Sequence, residues 1–277
     1  MSVYKDKVVV ITGAGGILCS EIAKEYAKYG AKIAVLDLNL EAAEKVAKEI
    51  VDNGGVAKAY KVNCLDKENM EQARVEINKD LGKCDLLVNG AGGNNPKGTT
   101  TNDYFDMADV ENPDVKSFFD LDGSGVDFVF KLNFLATFLT TQVFAKDMVE
   151  KGGNIINISS MNAFRPLTRI PAYSGAKAAV SNFTQWLAVH FAKAGIRVNA
   201  IAPGFFVTNQ NRALLFNPDG TPSARAEKIL RGTPMGRFGE AKELMGTMLW
   251  LADDEKAGFV TGIVVPIDGG FSAYSGV

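Results

Sequence analysis

Tyr173 and Lys177 stand four residues apart in the stretch Tyr173-Ser174-Gly175-Ala176-Lys177. On a helix that spacing is about one turn, so a phenol and an ammonium share a face. A free tyrosine loses its proton at about pH 10. A neighbouring cation favours the phenolate and lowers that value. The pair is therefore expected to give and take a proton near neutral pH. Taken alone the spacing means little, since many lysine-bearing helices show it. Here it has company. Ser160 lies upstream, just past the apolar run Asn154-Ile155-Ile156-Asn157-Ile158. Asn133 sits in an apolar helical stretch, and a glycine-rich turn, Thr12-Gly13-Ala14-Gly15-Gly16-Ile17-Leu18-Cys19, lies near the N-terminus.

Glycines between a strand and a helix let the backbone approach a pyrophosphate, whose charge the helix N-terminus stabilises. The same glycines also suit a tight turn that needs positive φ. Asp37 closes the next apolar run. A carboxylate there accepts hydrogen bonds from both ribose hydroxyls of an adenosine and repels a 2′-phosphate, which favours NAD over NADP.

These groups need a scaffold. Lys7 to Thr12 reads as a buried strand, Ser20 to Tyr29 as a helix, and Ala31 to Leu36 as a strand. A helix over Leu40 to Asn53, a strand over Val56 to Val62, a helix over Lys67 to Leu81 and a strand over Asp85 to Asn89 follow. Such alternation predicts an α/β fold, a doubly wound parallel sheet with helices on both faces. Ligands in such sheets sit at the carboxyl ends of the strands, near the switch in strand order. The pattern breaks at Gly92. Residues 93–125 form a polar, irregular stretch, and a loop of that length inside a compact domain is usually functional or disordered. Helices over Val126 to Glu150 and Tyr173 to Ala194 are expected, with strands at 154–158 and 196–201. A second irregular segment, 204–238, is expected on the substrate side. A helix from Glu240 to Leu251 and a strand from Val260 to Ile267 complete the chain. Nothing divides residues 1–277 into two domains.

The bulk numbers agree with one soluble enzyme. The chain has 277 residues, 47% of them apolar and 22% charged, with a formal net charge of −2. No basic excess points to nucleic acid or to an anionic membrane. Cys19, Cys64 and Cys84 have neither disulfide nor metal spacing, so a reduced, cytoplasmic chain without a metal is expected. No signal segment is visible, and no apolar run is expected to span a bilayer. His190, the single histidine, lies in the helix after Tyr173, where packing or solvent exposure outweighs catalysis. Phe128, Phe130, Phe134 and Phe138 have helical spacing and read as core or subunit contact.

Taken together, the chain resembles the short-chain dehydrogenase/reductase family over essentially its whole length. The resemblance rests on Thr12-Gly13 with the glycines after it, Asn89-Gly90-Ala91-Gly92, Asn133, Ser160, Tyr173, Lys177 and Pro203-Gly204. It implies a single Rossmann-like domain. It implies Tyr173 as the acid in ketone reduction and the base in alcohol oxidation. Lys177 would lower the Tyr173 pKa and hold the nicotinamide ribose. Ser160 would donate to the substrate oxygen, and Asn133 would position a water that links Lys177 to a proton relay. It places Gly13, Gly15, Gly16, Ile17, Leu18, Asp37, Leu38, Asn63, Cys64, Asn89, Ala91, Gly92, Pro203, Gly204, Phe206, Val207 and Thr208 against the cofactor. Homodimers or homotetramers are the family's usual assemblies. Two features depart from the family pattern, the glycine fingerprint and the residue at 63. Its second and third glycines fall on Ile17 and Cys19, so Gly15 and Gly16 are expected to take over the turn one residue early. Asn63 stands where the family often has aspartate.

The substrate must be read from the variable parts. Arg165 and Arg169 lie between Ser160 and Tyr173, so at least one is expected to face the pocket, where a guanidinium suits a carboxylate. Asn94, Asn95, Asn162, Asn209, Gln210, Asn211 and Arg212 add polar groups suited to hydroxyls, and together they favour a sugar acid over a steroid or acyl chain. A narrower resemblance, to the D-mannonate oxidoreductases (fructuronate reductases) of the short-chain type, rests on residues 15–21, 159–168, 202–212 and 268–277. It implies interconversion of D-fructuronate and D-mannonate with NAD(H) in hexuronate catabolism. Gluconate, a 2-keto-3-deoxy acid, or a 3-oxoacyl substrate are the alternatives within the same family. A non-catalytic nucleotide-binding regulator is the rival class, and it has no need of all four catalytic-type residues.

Overall fold

The computed structural model describes residues 2–207 and 212–276. Seven parallel strands form one sheet in the order β3-β2-β1-β4-β5-β6-β7. They are β1 (Val8–Thr12), β2 (Lys32–Asp37), β3 (Val56–Lys61), β4 (Leu86–Asn89), β5 (Gly153–Ile158), β6 (Ile196–Pro203) and β7 (Val264–Ile267). The helices are α1 (Ile17–Lys28), α2 (Leu40–Asp52), α3 (Lys67–Asp80), α4 (Gly123–Phe130), α5 (Ala136–Phe144), α6 (Pro171–Phe191), α7 (Arg212–Leu215), α8 (Ala224–Arg231), α9 (Lys242–Ala252) and α10 (Asp254–Ala257).

The apolar strands follow from burial on both faces, as parallel sheets require. In β1, Val9 and Ile11 enter one core with Ile22 and Tyr26 of α1, Val46 of α2 and Met248 of α9. Val8 and Val10 enter the other with Met70 of α3, Phe144 of α5 and Leu187 of α6. The strand order reverses between β1 and β4, so a crevice opens where both strands end, at Gly13 and Gly90.

Three sequence expectations shift. Helix α1 begins at Ile17 rather than Ser20, because Gly16 already serves as its N-cap. The helix expected over 126–150 is broken. Helix α4 leads into a π-helical turn, Lys131–Leu135, then α5 and a 3-10 turn, Ala145–Asp147. The π turn, a feature common at functional sites, carries Asn133. Finally, the run Gly123–Asp147 is long and apolar enough to cross a membrane by length and composition, with a mean hydropathy of 1.4. No such run was expected. Half of its 18-residue apolar window is buried within the fold, where α5 packs on α3 and α4 packs on α6.

The irregular stretch 93–125 is ordered by its own caps. It holds 3-10 turns at Pro96–Gly98, Met107–Asp109 and Phe118–Asp120, capped by the side chains of Asn95, Asp106 and Ser117. The 204–238 segment contains α7 and α8, and Leu215, Ala226 and Ile229 pack there with Phe205 and Val207.

Candidate active site

A cleft of about 350 Å³ opens at the switch point between β1 and β4. Its walls include Gly13, Gly16, Ile17, Leu18, Asp37, Leu38, Asn63, Cys64, Ala91 and Gly92, ten of the residues that sequence assigned to a dinucleotide. Gly13 has φ +64°, and a Cβ there would lie 3.0 Å from the Ala91 Cα. Both facts require glycine. The N-terminus of α1 has no side-chain cap and no acidic residue in its first turn. Its free N–H groups and the helix dipole favour an anion at that spot.

Gly15 replaces a missing family glycine in a specific way. Its N–H donates to Asp37 Oδ2 at 3.0 Å. A Cβ there would sit 2.8 Å from the Ala42 Cβ, so no larger residue fits. Asp37 Oδ1 accepts from the Asn39 N–H at 2.9 Å. Two backbone bonds thus fix the carboxylate at the rim of the cleft. Cys19 fills the place of the family's third glycine. Its Sγ would lie 2.2 Å from a Cβ on Gly90, so β4 and α1 meet through sulfur against bare backbone. Burial pushes this thiol up to about 12, against the pull of the Lys177 cation. It behaves as a packing group, not a nucleophile. Cys64, also on the wall, is pushed up to about 11 by burial.

Next to the cleft wall at Ile158, α6 starts at Pro171, which places Tyr173 and Lys177 in its first two turns. Lys177 is 4% exposed. Its Nζ donates to the Ile158 carbonyl at 2.8 Å and lies 5.6 Å from the Tyr173 ring centroid. Gly175 between them carries no side chain because the Phe130 ring comes within 3.3 Å of where its Cβ would be. Ser160 ends the β5 side, and its Oγ accepts from the Asn162 N–H at 3.3 Å. Its side chain also hydrogen-bonds with Tyr173.

The proton balance differs from the sequence expectation. Burial, the largest cause, raises the Tyr173 pKa, and the Ser160 hydrogen bond only moderates this. Burial also brings Lys177 down to about 8. Both shifts have one origin: an apolar enclosure disfavours phenolate and ammonium alike. At neutral pH the Tyr173 phenol therefore keeps its proton.

Asn133 is fully buried. Its Nδ2 donates to the carbonyls of Gly93 (2.7 Å) and Val129 (2.8 Å), and its Oδ1 accepts from the Gly93 N–H at 3.2 Å. The side chain clamps the backbone at the start of the 93–125 segment. A Cβ on Gly92 would lie 2.7 Å from its Oδ1 and 3.2 Å from Lys177 Nζ. The clamp therefore sets the wall beside Lys177.

Other predicted residues are placed elsewhere. Asn89 turns inward, is 2% exposed, and donates to Thr141 Oγ1 and Asn157 Oδ1. It ties β4 to β5 and α5 rather than facing the cleft, because an amide on this central buried strand must find its partners within the core. Pro203 is buried at the end of β6. Gly204 packs on Asp268, and Phe206 is buried with its ring over Gly239. Val207 packs toward α8. Asn95 caps a 3-10 turn through the Lys97 N–H, and Asn94 donates to Thr99. Asn162 is 4% exposed. Arg165 is exposed and donates to the Tyr274 carbonyl. Arg169, also exposed, donates to the Thr100 carbonyl at 3.1 Å. Both guanidiniums are thus engaged by main-chain oxygens, although at least one was expected to face the pocket. The Arg212 guanidinium lies 5.3 Å from the Phe216 ring centroid. Thr208, Asn209, Gln210 and Asn211 lie outside the described residues.

Sequence reasoning gave Thr12 no role of its own. Its Oγ1 accepts from the N–H groups of Gly90 (3.1 Å) and Ala91 (3.2 Å), which locks the ends of β1 and β4 together. A polar residue closing an otherwise apolar strand was the available signal. Leu132 and Ile158 also line the cleft, and nothing in their local sequence marks them.

Comparison with known proteins agrees with this geometry. The family model for short chain dehydrogenases matches residues 7–217. A Haemophilus influenzae protein named an uncharacterized oxidoreductase is 63% identical over 276 residues, covering 99% of this chain and 95% of that protein. The Bacillus subtilis oxidoreductase UxuB is 51% identical over 272 residues, covering 98% and 96%. A crystal structure from Haemophilus influenzae with bound NAD, provisionally named a D-mannonate oxidoreductase, superposes with a TM-score of 0.95 at 63% identity. It covers 99% of this chain and 97% of that one. With the family match running from the first strand past the sixth, the chain belongs to the short-chain dehydrogenase family.

Proposed function

We propose that the protein is an NAD(H)-dependent oxidoreductase that interconverts D-fructuronate and D-mannonate. The observation that carries the reaction class is the pairing of Tyr173 and Lys177 on α6, with Lys177 bonded to the carbonyl of Ile158 on the wall of a cleft that also holds Asp37. The fit to a dinucleotide rests on Gly13, where no side chain fits, and on the uncapped N-terminus of α1. When bound, NAD(H) supplies the hydride acceptor or donor.

This chain's residues do the rest. Asp37 receives the adenosine ribose hydroxyls and disfavours a 2′-phosphate. Tyr173 gives its phenolic proton to the carbonyl oxygen in reduction and takes one from the hydroxyl in oxidation. Ser160 donates to that same oxygen, where negative charge grows in the transition state. Lys177 holds the nicotinamide ribose. Asn133 keeps the Gly92-Gly93 backbone in place beside it. Pro203, Gly204, Phe206 and Val207, on the chain that leaves β6, would line the nicotinamide. Asn95, Asn162, Arg165, Asn211 and Arg212 are assigned to the sugar acid, with Arg165 exchanging the Tyr274 carbonyl for the substrate carboxylate. The 93–125 and 204–238 segments would wall the substrate mouth within a single catalytic domain of a homodimer or homotetramer.

The sugar-acid reading draws on this polar mouth and on the provisional name of the 63%-identical crystal structure. It is tested by following NADH oxidation with D-fructuronate, beside NADPH and a panel of other keto acids. Rapid turnover with fructuronate and NADH supports the assignment. Silence with fructuronate and turnover of another keto acid keeps the hydride chemistry and discards the substrate.

A further inference from the structure

The 93–125 segment starts at Gly93, held by Asn133, and it is not loose. Its base packs on the active helix, where a Cβ on Gly98 would lie 3.6 Å from the Ala172 Cβ. Its first turn returns to the connection between Ser160 and Tyr173. The Thr100 N–H donates to the Arg169 carbonyl at 2.9 Å, and Arg169 Nε donates back to the Thr100 carbonyl at 3.1 Å. Arg169 holds φ at +73°, one of two described non-glycine residues with positive φ. Such a conformation is disfavoured for a residue with a side chain and persists only where the surroundings over-determine it. The two-point contact with Thr100 provides that constraint.

Three residues on, one carboxylate gathers the remaining walls. Asp103 Oδ1 accepts from Thr168 Oγ1 at 3.1 Å. Asp103 Oδ2 accepts from Lys228 Nζ of α8 at 2.9 Å. The Asp103 side chain is 28% exposed and that of Lys228 66% exposed, so the pair sits at the surface. Its two oxygens serve two different segments, the Ser160–Tyr173 connection that carries Thr168 and helix α8. Helix α8 in turn packs through Ala226 and Ile229 on Phe205 and Val207, which continue directly from β6.

We infer that Asp103 is a positioning residue for the substrate: its carboxylate clasps the 93–125 segment to α8 and to the Ser160–Tyr173 connection, and so sets the width of the substrate mouth. The inference rests on Ser160 and Tyr173 being the place where the substrate reacts. It does not depend on which sugar acid enters. An ion pair this exposed adds little to global stability. Its effect falls on the relative placement of three segments that share no other described carboxylate.

The test uses the full chain with Asp103→Ala. KM, kcat, NADH affinity by fluorescence titration and the melting temperature are measured. The substrate is whichever keto acid of the panel the parent reduces fastest. KM is expected to rise about fivefold, the size of one exposed ion pair and one hydrogen bond. Over the same change kcat should move less, while NADH affinity and melting temperature hold. Lys228→Met, which removes the ion pair and leaves the Thr168 bond, should give part of the KM rise, and Lys228→Arg, which keeps the cation, should hold KM near the parent value. An unchanged KM overturns the clasp. So does a KM rise accompanied by equal losses of NADH affinity and melting temperature, which would make Asp103 a general stabiliser. Limited trypsin digestion provides a readout that needs no turnover. Faster cleavage at Lys116 and Lys228 in Asp103→Ala supports the clasp, and identical digestion overturns it. A parent protein inactive on the whole panel would sink the reaction assigned above while the digestion still decides the clasp.

Discussion

Lys177 should make the protein less stable at neutral pH than it would be without that charge. The ammonium is 4% exposed, and burial draws its pKa from 10.5 down to about 8. That drop corresponds to about 3 kcal/mol of differential interaction between the two protonation states. The sign follows from proton linkage. Below about pH 8 the amine is charged in both folded and unfolded chains, and the folded chain carries the cost of burial. Between about pH 8 and 10.5 the folded amine is neutral while the unfolded one still binds a proton, so stability rises with pH. Lys177→Met keeps the length and packing of the side chain and removes the titration. At pH 7 the variant loses the bond to the Ile158 carbonyl, about 1 kcal/mol. It gains relief of the buried charge and should be the more stable protein by about 2 kcal/mol. Urea unfolding of both proteins at pH 7, 8 and 9 gives the comparison. The parent should gain on the variant by about 1 kcal/mol over that range. Burial raises the Cys19, Cys64 and Cys84 thiols, which costs stability as pH climbs past 9.0, but it does so in both proteins and largely cancels. A difference that stays flat with pH would refute the depressed lysine, and a less stable variant at pH 7 would show that the cation is well solvated or paired.

Further outcomes are expected. Tyr173→Phe should keep NADH binding and cut turnover by about 10²–10⁴-fold; unchanged turnover would remove Tyr173 as the acid. Asp37→Ser should narrow the ratio of kcat/KM for NADH over NADPH, and should also weaken NADH because Gly15 loses its acceptor; an unaltered ratio would mean another group reads the ribose. Gly90→Ala should lower stability by about 1–3 kcal/mol in thermal unfolding, since the new Cβ would meet Cys19 Sγ at 2.2 Å and the Thr12 carbonyl at 2.7 Å; an unshifted melting temperature would mean the β4–α1 contact can relax. Arg165→Ala should raise KM for the acid and leave NADH binding alone; no change would move the carboxylate contact to Arg169, Arg212 or Lys97.

The chain by itself determined the alternation of strands and helices, the parallel sheet and many of the residues that line the cleft. Those signals are local: apolar runs of strand length, glycines where Cβ has no room, and a Tyr–Lys spacing of one turn. Even the departures at Ile17 and Cys19 were legible, since Gly15 and Gly16 do take the turn one residue early. Tertiary structure alone decided what depends on enclosure and on distant partners. The Tyr173–Lys177 spacing argued for a lowered phenol pKa, but burial of both groups pushes the phenol the other way, and burial depends on the entire fold. Asn89 seemed free to face a ribose until β5 and α5 supplied its inward partners. Arg165 and Arg169 lay between Ser160 and Tyr173 in the sequence, yet the tail and Thr100 engage them. The clasp at Asp103 joins residues 65 and 125 positions away along the chain, and no local pattern encodes a contact that only packing brings together.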